Sequence, residues 1–101
     1  GAEMEGDFKK KIFDASQVVN GLSEKITLQR GTIQQLKNDL SSLKDKYREA
    51  LKQDGNTSEL ETQIKEVSAK LRVQKDTLFG LTQEQANARL SVKKLRDEYA
   101  L

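Results

Sequence analysis

Apolar residues recur at alternating spacings of three and four along nearly the whole chain, a pattern typical of a coiled-coil seam. The a and d heptad positions of the first run are Phe8, Ile12, Ala15, Val19, Leu22, Ile26, Gln29, Ile33, Leu36, Leu40, Leu43, Tyr47 and Ala50. Those of the second run are Leu60, Ile64, Val67, Leu71, Gln74, Leu78, Leu81, Gln85, Ala88, Val92, Leu95 and Tyr99. The pattern breaks once, at residues 54–58, so it predicts two helices.

The break combines signals that end one helix and start another. Asp54, Gly55 and Asn56 are poor helix formers, and Gly55 suits the left-handed residue that commonly follows a helix. Thr57 or Ser58 can cap the next helix. Ser58 and Glu61 have the spacing of a capping box, in which side chain and backbone satisfy each other at a helix start. The sequence therefore predicts a disordered lead-in or tag remnant at 1–6, helices at 7–53 and 59–101, and a turn at 54–58.

The heptad registers on the two sides of the break do not match. Tyr47 and Ile64 are both a positions, yet they are 17 residues apart, which is two heptads plus three. A continuous helix would need a stammer that overwinds the coil at a glycine, whereas a turn lets each helix keep its own register. The predicted fold is therefore all-α: a coiled coil formed by an antiparallel two-helix hairpin.

The hairpin register predicted from the pattern centres the turn on Thr57. Ala15 then faces Tyr99, Ala50 faces Ile64, and Gln29 faces Gln85, so each of these alanines meets a larger side chain. The glutamine pair would share a hydrogen bond in the core. Complementary large and small partners fill a core better than matched ones.

A long parallel dimeric coiled coil with a break at 54–58 is the alternative. Ile or Val at several a positions, with Leu at d, is the preference of parallel two-stranded coils. Charges also favour it, because the hairpin register above brings Lys46 towards Lys70. Exposed charge pairs contribute only about 0.2–1 kcal/mol, so the turn and the register break favour the hairpin.

Composition excludes several kinds of chemistry. The chain has 101 residues, no cysteine and no histidine, so disulfides, thiol chemistry and histidine catalysis are excluded. No glycine-rich phosphate loop, metal-ligand cluster or activated nucleophile is present in the pattern, and no apolar run is long enough for a membrane span. We expect no enzyme activity, no cofactor, no metal and no transmembrane segment.

Cations line the e and g positions beside the seam. The strongest candidates for partner binding are on the first helix: Lys25, Arg30, Lys37 and Lys44. They suit an acidic polymer such as tubulin, although Lys and Arg stems also cover apolar seams in coiled coils without any partner. Binding to nucleic acid is not expected, because no aromatic residues interleave with the cations.

Two aromatic residues lie off the seam and three glutamines lie on it. Phe13 and Phe79 occupy b positions, where they suit docking of another helix, or are isolated surface hydrophobes. Gln29, Gln74 and Gln85 interrupt the core, where polar residues fix register at some cost in stability.

These patterns predict a structural role in a larger intracellular assembly, either cytoplasmic or nuclear. We expect a scaffold that spaces or oligomerises other parts, of the cytoskeletal, kinetochore, chromosome-organising or endocytic type. Protein partners would bind its helical faces, and the chain would self-associate as a dimer or as two hairpins in a four-helix bundle. Because the seam is still in register at Tyr99, we expect a longer parent protein. The alternative function is binding of microtubules or another acidic polymer through the basic e and g positions.

Overall fold

The computed structural model describes residues 2–100, which form two α-helices, α1 (Ala2–Lys52) and α2 (Ser58–Ala100). Near the start of α1, Phe8 contacts Tyr99 near the end of α2. Near the end of α1, Tyr47 contacts Glu61 near the start of α2. The helices are therefore antiparallel, and the prediction of an all-α helical hairpin is confirmed.

The hairpin divides into two compact units, each built from both helices. The end unit comprises the described residues 2–27 with 79–100, and the turn unit comprises Leu28–Leu78. Leu22, Ile26 and Val92 are buried in the end unit together with Gln85, whereas Ile33 and Leu71 are buried in the turn unit. All of these residues are a or d positions, so the heptad pattern identified the side chains that form each core.

The register of the end unit differs from the predicted one by a heptad. Tyr99 packs against Phe8, with ring centroids 6.2 Å apart and planes tilted by 52°, and not against Ala15. Phe8 and Ala15 are seven residues apart. A heptad seam offers a similar apolar match after every shift of seven residues, so the apolar pattern alone cannot choose between these registers.

Contacts in the turn unit also contradict the predicted layers. The Tyr47 hydroxyl donates a hydrogen bond to Glu61 Oε1 over 3.3 Å. Gln29 was expected to face Gln85, but its Nε2 donates to the backbone oxygen of Gln74 over 3.1 Å and to the Gln74 side chain. The predicted glutamine pair is therefore wrong in its partner, because the turn lies earlier in the chain than the prediction placed it.

The turn begins with a Schellman motif, a pair of backbone hydrogen bonds that closes the end of α1. Gly55 N donates to Ala50 O over 2.8 Å, and Asp54 N donates to Leu51 O over 3.3 Å. The left-handed residue is Asp54, with φ of 53°, and the glycine does not have a positive φ. The prediction that Gly55 takes this conformation is wrong, because the bonding pattern puts the left-handed position one residue earlier.

The cap of α2 is Thr57, one of the two residues that the sequence offers for this position. Thr57 occupies the N-cap, since its backbone oxygen accepts the first helical bond, from Glu61 N over 2.9 Å. Asn56 Oδ1 accepts a hydrogen bond from Ser58 N over 3.0 Å, and Thr57 Oγ1 donates to Glu61 Oε1 over 3.2 Å. The predicted capping box of Ser58 and Glu61 is therefore wrong, because Ser58 is already the first helical residue.

The start of α1 also differs from the prediction, since the helix begins at Ala2 where the sequence predicted a disordered lead-in. Glu5 stabilises the start of α1, because its carboxylate lies 3.5 Å from Lys9 Nζ and accepts a hydrogen bond of 2.6 Å from the Tyr99 hydroxyl. Gly1 and Leu101, which the predicted boundaries included, lie outside the described residues.

Candidate partner-binding surfaces

The end-unit groove is a surface groove of about 400 Å³ lined by Ser16, Val19, Asn20, Arg89, Val92, Lys93, Arg96 and Asp97. It opens beside the seam because Ser16 occupies an e position with a side chain too short to cover the valines. Val92 is buried and Val19 is half-buried, so the floor of the groove is apolar. Three cations and one carboxylate surround that floor, which makes the groove electropositive.

A second basic groove, of about 220 Å³, lies on α1 in the turn unit and is lined by Lys37, Leu40, Ser41, Lys44 and Arg48. It brings together two of the predicted cations, Lys37 and Lys44. Arg48 Nη1 lies 2.9 Å from Asp45 Oδ1, so part of its charge is already neutralised. We call this the turn-unit groove.

The other two predicted cations lie apart from the turn-unit groove lining. Arg30 is exposed at an e position of the turn unit, and Lys25 is exposed at a g position of the end unit. Positions e and g lie on opposite edges of a helix seam, so Lys25 does not share an edge with Lys37 and Lys44. The four cations therefore do not form one surface.

The other edge of the turn unit carries mixed charge. A groove of about 350 Å³ is lined by Asp39, Ser42, Leu43, Lys46, Gln63, Glu66, Val67 and Lys70. Asp39 and Lys70 line it together, so the repulsion expected between Lys46 and Lys70 is offset by neighbouring carboxylates. This balance gives the groove no preference for an acidic or a basic partner.

Phe13 and Phe79 are both exposed, by 61% and 66% of their surfaces. Both belong to the end unit and occupy b positions, which lie on the same side of the seam as the e positions Ser16, Arg89 and Arg96. The sequence identified the phenylalanines but missed Lys93, because only e and g positions were considered there. Lys93 is a b position two heptads after Phe79, and this spacing is the signal that could have found it.

The side chains of the core glutamines form hydrogen bonds within the fold. Gln85 is only 9% exposed, and its Nε2 donates to Val19 O over 3.2 Å and to Ser23 Oγ over 2.6 Å. Gln29 and Gln74 bond to each other in the turn unit. These side chains tie the two helices together within each unit and leave little for a ligand to contact.

One contact shifts pKa values on the surface. The hydrogen bond from Tyr99, with a smaller contribution from the Lys9 charge, lowers the pKa of Glu5 below its ordinary value. The same hydrogen bond raises the pKa of Tyr99, because it stabilises the protonated phenol. Both groups are exposed, and the contact is a structural link between α1 and α2 in the end unit.

Comparison of the chain with known protein families, curated proteins and solved structures gives no match. Among residues 2–100, no cluster of acidic side chains is arranged to hold a metal ion. In that same part of the chain neither helix has a stretch apolar enough to cross a bilayer.

Proposed function

We propose that the chain is a structural coiled-coil hairpin that spaces or scaffolds parts of a larger intracellular assembly. The observation that carries this proposal is the contact between the two helix ends, where the Tyr99 hydroxyl lies 2.6 Å from Glu5. Because the start of α1 and the end of α2 lie next to each other, protein segments attached to these two ends would be held side by side. The seam residues of each unit supply the rigidity that such a role requires.

The chemistry of the surface supports a structural role over a catalytic one. Among the described side chains, the groups with shifted pKa values are Glu5 and Tyr99, which are exposed and bonded to each other. Catalytic groups are instead usually found in clefts where burial and neighbouring charges tune them. The grooves are shallow surface features, in which side chains of the outer heptad positions surround one or two seam residues.

A fluorescence experiment tests the spacer role. A donor at Met4 and an acceptor at Ala100, both exposed, should give high energy transfer in chains diluted with an excess of unlabelled chain, because packed helices lie about 8–10 Å apart. Light scattering on the same sample gives the mass, and hence whether hairpins pair. Low transfer, or transfer that vanishes on dilution with unlabelled chain, would contradict a self-contained spacer.

Binding of an acidic polymer such as a microtubule is the second candidate, and the turn-unit groove favours it. Lys37, Lys44 and Arg48 converge there around an apolar residue, Leu40. Charge reversal of the three cations should abolish co-sedimentation with microtubules if this candidate is right. Charge reversal of Lys25, on the other edge, is the control and should leave co-sedimentation unchanged.

A further inference from the structure

We propose that the end unit binds an acidic amphipathic helix of a partner protein along one face. This end-unit face comprises the e and b positions of both helices and carries Phe13, Ser16, Asn20, Ser23, Phe79, Thr82, Arg89, Lys93 and Arg96. The inference goes beyond the proposed spacer role, because it assigns a specific partner chemistry to a surface that spacing does not require.

Charge is the first argument for an acidic partner. Arg89, Lys93 and Arg96 line the end-unit groove with Asp97 as the single carboxylate of the lining. The floor beneath them is apolar, with Val92 buried and Val19 half-buried. A partner helix with carboxylates flanking an apolar stripe would match both the charges and the floor.

Exposed aromatic residues are the second argument. Phe13 lies one helical turn before Ser16 of the groove, and Phe79 lies two heptads before Lys93 on the same stripe of α2. Each exposes more than half of its surface to water. Aromatic side chains of this kind are the usual anchors of a helix-binding face, and burying them contributes much of the binding energy.

The middle of the end-unit face is low enough for another helix to approach. Ser16, Ser23 and Thr82 are small, half-buried residues between the two phenylalanines. The Ser23 hydroxyl accepts a hydrogen bond from Gln85, and the Thr82 hydroxyl donates to Phe79 O over 2.8 Å. Because these hydroxyl groups already have partners in the fold, an apolar stripe can cover them at little cost.

Length and symmetry decide between occupants. From Phe79 to Arg96 the end-unit face spans 18 residues of α2, about 26 Å at a rise of 1.5 Å per residue, which suits a partner helix of about the same length. A second copy docking in parallel alignment would bring the same three cations against their counterparts, which like-charge repulsion disfavours. In antiparallel alignment it would place them against Phe79 and Thr82, which offer no carboxylate. An acidic helix meets no such opposition.

The probe is a capped, fluorescently labelled peptide of about 18 residues, with leucine along one face and glutamate on both flanks. A matched peptide carries lysine in place of every glutamate. Titration with the full chain should give saturable one-to-one binding of the glutamate peptide, seen as a rise in anisotropy. The lysine peptide should bind at least about tenfold more weakly, because its charges repel the groove cations.

Two variants of the chain locate the site. Arg89→Glu/Lys93→Glu/Arg96→Glu and, separately, Phe13→Ser/Phe79→Ser should each raise the Kd at least about tenfold. The matched control is Lys65→Glu/Arg72→Glu/Lys75→Glu, which makes the same change in net charge at exposed turn-unit residues outside the groove linings and should leave the Kd within about twofold. Circular dichroism confirms that each variant remains helical.

Three results would overturn the proposal. One is equal weakening by the control triple variant, which would mean attraction to net charge alone. Another is equally tight binding of a proline-containing glutamate peptide, which would mean that a helix is not recognised. The third is concentration-dependent dimerisation lost in Phe13→Ser/Phe79→Ser, which would assign the face to a second copy. None of these outcomes affects energy transfer between Met4 and Ala100, so the spacer proposal is tested separately.

Discussion

Asp54 is the one non-glycine residue with a positive φ among residues 2–100. Its φ of 53° lies in the left-handed region, which glycine adopts freely and which other residues adopt at a cost. The Schellman hydrogen bonds hold it there, with Gly55 N bonded to Ala50 O. The backbone of the turn is therefore strained at Asp54, although the next residue, Gly55, could adopt the left-handed conformation without strain.

We predict that Asp54→Gly raises the free energy of unfolding by about 0.5–1 kcal/mol, because glycine relieves the left-handed strain. Gly55→Ala is the matched control. A Cβ at Gly55 would meet Ala50 O at 3.4 Å, an ordinary contact, and its φ is not positive, so we expect a change below about 0.5 kcal/mol. Urea unfolding measures the free energy of unfolding of both variants. A large decrease in Gly55→Ala would mean that Gly55, as the sequence predicts, is the left-handed residue.

The hydrogen bond between Tyr99 and Glu5 makes the end unit sensitive to pH. Because the pKa of Glu5 is lowered, its contribution is present above the ordinary glutamate value of 4.5 and is lost as pH falls through the lowered value. Because the pKa of Tyr99 is raised, its contribution is present below 10.0 and is lost as pH rises through the raised value. The contact is therefore fully formed between these two limits.

Carbon NMR of the Glu5 carboxyl group during an acid titration tests this prediction. Tyr99→Phe keeps the ring beside Phe8 but removes the hydroxyl, which is the largest cause of the shift. The pKa of Glu5 should then move back towards its ordinary value, while Lys9 keeps part of the lowering. An unchanged pKa in this variant would mean that the hydrogen bond does not form in solution.

At the scale of elements, the heptad pattern predicted both helices, because burial of each apolar side chain in the seam favours the helix independently of which residue it faces. The register could not be predicted from that pattern, because Phe8 and Ala15 are equivalent d positions one heptad apart. What separates them is local: the left-handed Asp54 and the Thr57 cap place the turn early. The sequence signal that could have identified this register is the match of two aromatic residues, Phe8 and Tyr99.

The exposed residues of the candidate surfaces could be predicted from the heptad pattern, but the grooves could not. Exposure of Phe13 and Phe79 follows from their b positions, which the heptad labels give directly. Grooves depend on register and on the size of neighbouring side chains, so the convergence of Ser16 with Arg89 and Arg96 required the paired helices. The sequence favoured the cations of the first helix, whereas the wider basic groove carries its cations on the second.

Gln85 is a buried polar residue in the seam of the end unit. We predict that Gln85→Leu raises the free energy of unfolding by about 1 kcal/mol, because it replaces a buried polar side chain with an apolar one at a seam position. It should also weaken the preference for one register, since the hydrogen bonds to Val19 O and Ser23 Oγ are lost.

Urea unfolding combined with a spin-label distance between exposed positions of the end unit measures both effects. A narrow distance distribution in the parent chain should become broader or bimodal in Gln85→Leu. Gln85→Asn is the control, because it keeps the polar group but shortens its reach. A more stable variant with an unchanged narrow distribution would show that the glutamine does not specify register.

At the scale of the whole molecule, the cores of both units are narrow. Even the most protected apolar side chains retain some exposure, with Ile26 at 5% and Leu71 at 8%. A truncated side chain in such a seam leaves a cavity that neighbours and water can partly fill. Stability is therefore spread along the seam and does not depend on one central cluster.

We predict that Ile26→Ala lowers the free energy of unfolding by about 2 kcal/mol, at the low end for core isoleucines, because the seam can partly collapse. Leu28→Ala, at a position that is 73% exposed, is the control and should change it by less than about 0.5 kcal/mol. Thermal unfolding followed by circular dichroism measures both, and similar losses at the two positions would contradict the assigned seam.

The meeting of the helix ends at Phe8 and Tyr99 also determines how the chain would respond to mechanical load. Tension applied to the two ends pulls the helices apart across the seam, so the layers of the end unit open one after another. Each step breaks the contacts of a single layer, and the required force stays low. Under tension the hairpin would behave as an extensible link that lengthens by unzipping and recloses when the load is released.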